Sequence, residues 1–77
     1  MAKVTVKGEE VFRAQKDQFA IGPSSSGYTL AYSGDGVSFN NDTDAVVPAN
    51  ENLMYLGAVQ YAYYKLVGNT GEITVIL

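Results

Sequence analysis

The fold is decided by the stretch from residue 28 to residue 39, which reads Tyr28-Thr29-Leu30-Ala31-Tyr32-Ser33-Gly34-Asp35-Gly36-Val37-Ser38-Phe39. Its first five residues alternate in a way that predicts a β-strand with one buried face. Ser33 to Gly36 is predicted to be a turn, because Gly and Asp accept the positive φ that tight turns require. The last three residues are then expected to run back as a second strand, so that the stretch forms a β-hairpin.

Short extended runs separated by turn residues fill the rest of the chain. We predict further strands over residues 2–7, 11–14, 19–21, 45–47, 52–56, 61–67 and 72–77, of which 61–67 is the longest. Asn40 to Asp44 is predicted to be a polar loop. About six to eight short strands with Gly, Asn and Asp turns indicate an all-β fold, a small antiparallel β-sandwich or barrel. We expect a single domain over residues 1–77.

Composition excludes several classes of function. The 77 residues contain no Cys and no His, which removes disulfides, thiolate metal sites and the most common general base. A formal net charge of −3 argues against binding to nucleic acid. The apolar runs are far shorter than the ~20 residues of a membrane helix, and the start of the chain does not resemble a signal peptide. We therefore expect no cofactor, no nucleic-acid partner and no membrane partner.

Serine and carboxylate side chains are the remaining candidates for chemistry. The serines Ser24 to Ser26 lie in a Gly/Pro loop, where serine typically makes local turn hydrogen bonds. A hydrolase that uses Asp35 and Asp42 is the least favoured interpretation, because nothing predicts a buried pocket that would separate their pKa values. Asp42 and Asp44 are a weak calcium candidate, since their spacing does not follow a known calcium loop. We predict that the chain has no catalytic residues and is not an enzyme.

The six tyrosines are the most informative feature for function. On the predicted strand 61–67, Tyr61, Tyr63 and Lys65 share one face, and the more apolar opposite face is expected to be core. Outward tyrosines either pack across strands or form a protein interface, where Tyr is enriched; both alternatives remain open. The candidate contact residues are Tyr55, Tyr61, Tyr63 and Lys65, with Val75 and Leu77 of the last strand as a second patch.

The last predicted strand ends on Val75-Ile76-Leu77. An apolar strand at a sheet edge invites pairing with another chain, so either this strand lies inside its own sheet or a neighbour covers it. A chain of this size has marginal stability by itself, and without disulfides or metals oligomerisation is the remaining stabiliser. We therefore expect a protein partner, and first of all a homo-oligomer.

The hairpin from Tyr28 to Phe39 resembles the motif Y-x-L-x-Y-S-x-D-G-x-x-F/W of fibronectin type III-like and discoidin-like β-sandwiches. Residues 52–56, 61–69 and 71–75 are similar to the last three strands of a type III module, so the resemblance covers about two thirds of the chain. It implies an immunoglobulin/fibronectin III-like fold, which encodes geometry and not activity. The chain departs from the pattern because it is shorter and has no Trp, which leaves an eroded sandwich or a barrel open.

The whole chain also resembles small accessory proteins of tailed bacteriophages. The residues that carry this resemblance are Phe12-Arg13-Ala14, Tyr32 to Gly36, and Tyr63 to Asn69. It implies head decoration or fibre attachment, with the phage capsid as a partner and the virion as the location. We expect a self-associating structural module of this kind. The alternative is a carbohydrate or cell-surface binding module, which the discoidin-like hairpin and the tyrosines permit.

Overall fold

The computed structural model describes residues 2–77, which form eight strands in two antiparallel sheets. The strands are β1 (Lys3–Lys7), β2 (Phe12–Arg13), β3 (Gln18–Ile21), β4 (Tyr28–Ser33), β5 (Asn40–Val47), β6 (Leu53–Leu56), β7 (Tyr63–Val67) and β8 (Glu72–Ile76). Sheet A has the order β1-β8-β3-β6, and sheet B has the order β2-β7-β4-β5. The predicted all-β fold of short strands is confirmed. No helical segment within residues 2–77 has the length and apolarity needed to span a bilayer.

The chain moves from one sheet to the other at nearly every connection. Only β4 and β5 are both consecutive in the chain and paired with each other. As a result β1 pairs with β8, with Val4 opposite Val75 and Val6 opposite Ile73. On its other side β8 pairs with β3, so β8 holds the middle of sheet A together. The edge strands are β1 and β6 in sheet A, and β2 and β5 in sheet B.

Side-chain alternation places one face of each sheet in a shared core. Sheet A contributes Val6, Phe19, Ile21, Ile73 and Val75, and sheet B contributes Tyr28, Leu30, Val47, Tyr64 and Leu66. The ring of Phe19 lies edge-on to Phe12 at 5.4 Å and to Tyr64 at 5.1 Å between ring centroids, a geometry that aromatic pairs favour. Complete burial of one large apolar side chain contributes about 1.5–3 kcal/mol, so this core is the main source of stability.

Polar contacts join the loops at one end of the molecule. The side-chain amide nitrogen of Asn69 donates to the carbonyl oxygens of Gly8 at 2.9 Å and Gly71 at 3.0 Å. Its amide oxygen accepts a hydrogen bond from the hydroxyl of Ser24 at 2.7 Å, and the Ser24 carbonyl accepts one from the Asn50 amide at 2.7 Å. Ser24 and Asn69 are both buried. Ser24 is therefore part of the scaffold, in keeping with the interpretation of this loop as a turn.

The second half of the predicted hairpin is wrong. Residues 37–39 form no strand, and the predicted polar loop 40–44 is instead the start of β5, which is eight residues long and the longest strand. The turn explains the difference, because Asp35 Oδ1 accepts hydrogen bonds from the amides of Val37 at 2.8 Å and Ser38 at 3.0 Å. These amides are therefore engaged by the turn, and pairing with β4 begins at Asn40, opposite Tyr32.

A large bulge interrupts the pairing of β5 with β4. Between the pairs Thr29–Val46 and Ala31–Asn41, β4 has the single residue Leu30 while β5 has the four residues 42–45. Such an insertion bends a strand and increases its twist. Here the bend brings the Asp42 carboxylate to within hydrogen-bond distance of Tyr55 in sheet A.

Strand β7 is shorter than the predicted strand 61–67. It begins at Tyr63 and has five residues. Tyr61 has a φ of 67°, which lies in the left-handed region and is incompatible with an extended strand. The predicted alternation holds from there on, because Tyr64 and Leu66 are buried while Tyr63, Lys65 and Val67 are only half-buried.

Candidate functional site

The outward face of sheet B carries a cluster of aromatic and cationic side chains. The guanidinium carbon of Arg13 lies 4.7 Å from the ring centroid of Tyr63 and 5.8 Å from that of Tyr61, distances at which a cation is attracted to an aromatic ring. Nε of Arg13 donates to the carbonyl oxygen of Tyr61 at 3.0 Å. Arg13 and Tyr63 are also direct cross-strand partners. Arg13 thus brings together two of the tyrosines that were predicted to share a face.

Tyr61 is held with its ring toward solvent in an unfavourable backbone conformation. Its left-handed φ costs a non-glycine residue roughly 1–2 kcal/mol. The Tyr61 amide donates to the Ala14 carbonyl oxygen at 2.7 Å, which together with the Arg13 contact offsets this cost. The side chain is 59% exposed, and it lines a shallow cavity of about 400 Å³ with Arg13, Ala14 and Gln15.

The connection between β4 and β5 covers the rest of this face. Gly36 has a φ of 78° and lies against the ring of Tyr63, so that a Cβ at this position would be 3.3 Å from ring carbons. Nζ of Lys65 lies 4.6 Å from the ring centroid of Phe39. Tyr63 and Lys65 are therefore half-buried by cross-strand and loop packing. Of the three residues predicted on this face, Tyr61 is the exposed one.

The other predicted contact residues lie on the core side. The ring of Tyr55 packs 5.2 Å from Phe19 and 5.9 Å from Tyr64. Val75 is fully buried and Leu77 nearly so. The structure does not bring these three residues together with Tyr61. Of the two alternatives for the last strand, the structure shows the first, since β8 lies inside its own sheet.

The outward face of sheet A carries an apolar strip, here defined as Ala20, Met54, Leu56 and Ile76. Met54 and Leu56 are 62% and 69% exposed. Met54 is opposite Ala20 in the register of β3 and β6, and Ala20 is opposite Ile76 in that of β3 and β8. The sequence signal for this strip was the unbroken apolar run of β6, since a strand that is apolar on both faces is typically covered on both.

A shallow cavity of about 520 Å³ adjoins the apolar strip. Met54 and Ile76 form part of its lining, and Pro23, Leu53 and Thr74 extend it toward the loop between β3 and β4. Its lining contains no charged side chain. The strip and this cavity together form an apolar surface on one side of the molecule. Lys16 borders the strip, because it lines a second, smaller cavity with Ala20, Met54 and Ile76.

The carboxylates of the hydrolase interpretation are engaged by protein donors. Asp35 Oδ1 accepts hydrogen bonds from the amides of Val37 and Ser38 and, at 2.8 Å, from the Ser33 hydroxyl. These bonds, that of the Val37 amide first, lower the pKa of Asp35 to about 2. A carboxyl with this pKa is ionised at neutral pH and does not serve as a general acid there.

Asp42 is held in a similar way at the bulge of β5. Its Oδ2 accepts from the Tyr55 hydroxyl at 2.8 Å, and its Oδ1 accepts from the Asp44 amide at 3.0 Å. Within residues 2–77 no group of three or more His, Cys, Asp or Glu side chains is placed to hold a metal ion. Asp42 and Asp44, the weak calcium candidate, therefore have no third carboxylate beside them.

No protein-family model, curated protein or solved structure matches this chain. The candidate site consequently rests on geometry. It comprises two outward surfaces, the apolar strip of sheet A and the Arg13–Tyr61 cluster of sheet B.

Proposed function

We propose that this chain is a non-catalytic structural module that works by protein contact, associates with itself, and decorates the head or attaches a fibre of a tailed bacteriophage. The observation that carries the contact role is the apolar strip of sheet A. Single exposed apolar side chains are common on protein surfaces, whereas a contiguous group marks an interaction surface. Met54 and Leu56 extend from the same face of one edge strand, next to Ile76.

The energy available from this strip fits contact with a protein. Burial of apolar surface contributes roughly 25 cal/mol per Å², and both Met54 and Leu56 expose most of their area. The carboxylates of the hydrolase interpretation lie elsewhere, because Asp35 is in the turn after β4 and Asp42 is in the bulge of β5. The apolar strip of sheet A therefore favours a contact role for this face.

The phage assignment is supported by the residues that resemble phage accessory proteins. In the structure these residues have structural roles. Phe12 lies in the core, and Arg13 contacts the rings of two tyrosines. Asp35 accepts a hydrogen bond within the turn after β4, and Asn69 donates to a neighbouring loop. Two four-stranded antiparallel sheets around one core fit a β-sandwich. The immunoglobulin/fibronectin III-like part of the proposal rests on the sequence resemblance alone, because β7 and β8 lie in different sheets, whereas the last two strands of such a module share one sheet.

The contact role is tested by size-exclusion chromatography with light scattering, together with co-sedimentation with capsids of the phage that encodes the chain. We expect concentration-dependent association and saturable capsid binding, both weakened by Leu56→Lys. The matched control is Val46→Lys, since Val46 is 63% exposed and lies on a strand of sheet B, away from the strip. A monodisperse monomer at high concentration that does not bind capsids would contradict the proposal. Portal, terminase or capsid genes beside this one would support the phage assignment.

A carbohydrate or cell-surface binding module is the second candidate, and the Arg13–Tyr61 cluster favours it. An exposed aromatic ring beside a cation provides a stacking surface and a hydrogen-bond donor for a sugar. A glycan array with the wild-type chain and Tyr61→Ala tests this function. Tyr32→Ala is the control, because Tyr32 is also exposed but does not line the Arg13 cavity. Binding that Tyr61→Ala removes and Tyr32→Ala retains supports the candidate, and an array without hits eliminates it.

A further inference from the structure

We infer that two copies of this chain pair through β6, edge to edge and antiparallel, so that sheet A continues across a two-fold axis into the sheet A of the second copy. The inference rests on the proposed contact role and specifies its partner and its surface. It follows from the backbone, the charges and the side chains of β6.

The open edge of β6 presents the backbone groups of Met54 and Leu56. In an antiparallel pair, alternate residues direct their N–H and C=O groups toward the neighbouring strand. The Gly57 amide donates to the Asp17 carbonyl in the continuation of the β3–β6 register, so Tyr55 and Leu53 also point toward β3. The N–H and C=O groups of Met54 and Leu56 then point away from β3, where no strand within residues 2–77 pairs with β6.

The other three edges carry features that oppose pairing with another chain. Strand β1 has Lys3 and Lys7 on its outward face, and Glu10 bonds to the backbone of Lys7 through its own side chain and amide. Strand β2 has only two residues. Strand β5 is bulged and carries Asp42 and Asp44. Charge, short length and bulges are the devices by which sheet edges avoid association. Strand β6 has no charged side chain and no bulge, and its four residues are twice the length of β2.

Charge favours a second copy as the occupant of this edge. Pairing β1 with itself would place lysines near lysines, and pairing β5 with itself would place aspartates near aspartates; like charges on paired strands are destabilising. Residues 52–57 contain no charged side chain. The side chains of β6 itself therefore add no like-charge repulsion to pairing with a second copy, and they offer no counter-charge to a charged strand from another protein. The acidic side chain beside this edge is Asp42, whose carboxylate accepts a hydrogen bond from the Tyr55 hydroxyl.

The free backbone groups also define the register. Placing Met54 opposite Leu56 of the second copy uses every free group of both residues, for about four hydrogen bonds in total. Tyr55 then lies nearest the two-fold axis. In this register Met54 and Leu56 of both copies form one apolar cluster on the outward face, flanked by Ile76. An isologous contact of this kind closes on itself and gives a dimer rather than a filament.

The contact is small, which determines its strength. A specific stable interface buries about 1,200–2,000 Å² in total, and two four-residue strands with four apolar side chains fall below this range. We therefore expect a weak dimer that forms at high concentration, as on a virion surface where many copies are held close together.

Residue-resolved amide hydrogen exchange by NMR tests this pairing. At millimolar concentration we expect the Met54 and Leu56 amides to exchange at least about tenfold more slowly than in dilute solution, because they become hydrogen-bonded. The Leu53 and Tyr55 amides are the internal control, since their bonds to β3 make them protected at both concentrations.

Two variants separate this inference from the proposed function. Leu56→Lys places like charges in the dimer, and Met54→Pro removes an edge amide that makes no bond within the chain, a position where an edge strand tolerates proline. Both are expected to stay folded and monomeric by light scattering, whereas Val46→Lys dimerises like the wild type. Dimers that persist in both variants, with the Met54 and Leu56 amides unprotected, overturn this pairing and leave self-association standing. A wild-type chain that is monomeric at millimolar concentration overturns this pairing together with self-association, whereas capsid binding is decided separately by co-sedimentation.

Discussion

The Tyr55 hydroxyl donates a hydrogen bond to Oδ2 of Asp42, with 2.8 Å between the two oxygens. This bond links β6 of sheet A to the bulge of β5 in sheet B. Burial and the Asp42 carboxylate raise the pKa of Tyr55 to about 12. A residue that was predicted to be a contact tyrosine thus connects the two sheets, next to the edge proposed for pairing.

Removal of this hydroxyl is expected to destabilise the fold. Tyr55→Phe keeps the ring packing against Phe19 but leaves a carboxylate oxygen of Asp42 without its donor, so the free energy of unfolding should fall by about 1–2 kcal/mol. Urea denaturation measures the change. The control is Tyr61→Phe, because the Tyr61 hydroxyl makes no hydrogen bond within residues 2–77 and an exposed substitution typically changes stability by less than about 0.5 kcal/mol. Equal effects of the two variants would contradict the structural role of the bond.

The same substitution at Tyr28 is expected to have the opposite effect. The Tyr28 hydroxyl is buried without a hydrogen-bond partner among the described residues, and burial raises its pKa to about 12 from the usual 10.0. Tyr28→Phe should therefore stabilise the chain by about 1 kcal/mol. Because the unfolded tyrosine loses its proton first, wild-type stability decreases as the pH rises from 10 toward 12, and this decrease should be smaller in the variant. Urea denaturation at neutral and alkaline pH measures both effects, and a clear loss of stability at neutral pH would contradict the prediction.

Asp35 is expected to dominate the acid end of the stability profile. Its pKa is about 2 in the folded chain against 3.8 ordinarily, so its contribution to stability is present above about pH 4 and is lost as the pH falls toward 2. In Asp35→Asn this part of the acid dependence should be absent, with lower stability at neutral pH. The control Asp44→Asn should keep the wild-type acid profile, because the Asp44 carboxylate accepts no hydrogen bond within residues 2–77. NMR titration of the Asp35 carboxyl gives its pKa directly, and a value near 4 would refute the prediction.

Asn69 tests the polar contacts at the loop end. Asn69→Asp replaces an amide donor with a carboxylate facing the carbonyl oxygens of Gly8 and Gly71, and a lost donor at a buried site costs about 2–3 kcal/mol or more when a charge replaces it. Acidification protonates the new carboxyl, so the gap to the wild type should narrow at low pH. Thermal unfolding at neutral and acid pH measures this. A gap that does not depend on pH would show that the charge is not the cause, and Asn40→Asp at an exposed position serves as the control.

The parts of the fold that the sequence predicts well are those where local pattern and burial agree. Strands β4 and β8 have alternating apolar side chains and lie inside their sheets. Strand β5 escapes prediction because Asn40 to Asp44 are polar residues with low strand propensity. Asn40 and Asn41 are extended because they pair with Tyr32 and Ala31 of β4, which is a tertiary effect, and residues 42–44 continue the strand through its bulge. The left-handed φ of Tyr61 is likewise fixed by its contacts with Ala14 and Arg13.

The candidate site was harder to predict than the fold. The tyrosine content predicts Tyr55, Tyr61 and Tyr63 as contact residues. The orientation of each ring, however, depends on which strands are neighbours. The exposure of Met54 and Leu56 depends on the order of sheet A. Because β6 is an edge strand, these two side chains have a neighbouring strand on one side only. Order within a sheet arises from long-range pairing, which periodicity in a single sequence does not encode.

The pairing of β1 with β8 also has a consequence for how the chain folds. Within residues 2–77 strand β1 pairs with β8 alone, and β8 lies between β1 and β3, so sheet A does not assemble until β8 has been synthesised. Closing contacts across nearly the whole chain slows folding. We therefore expect sheet A to form only once β8 is available for pairing, and the chain to fold in one cooperative step without a stable half.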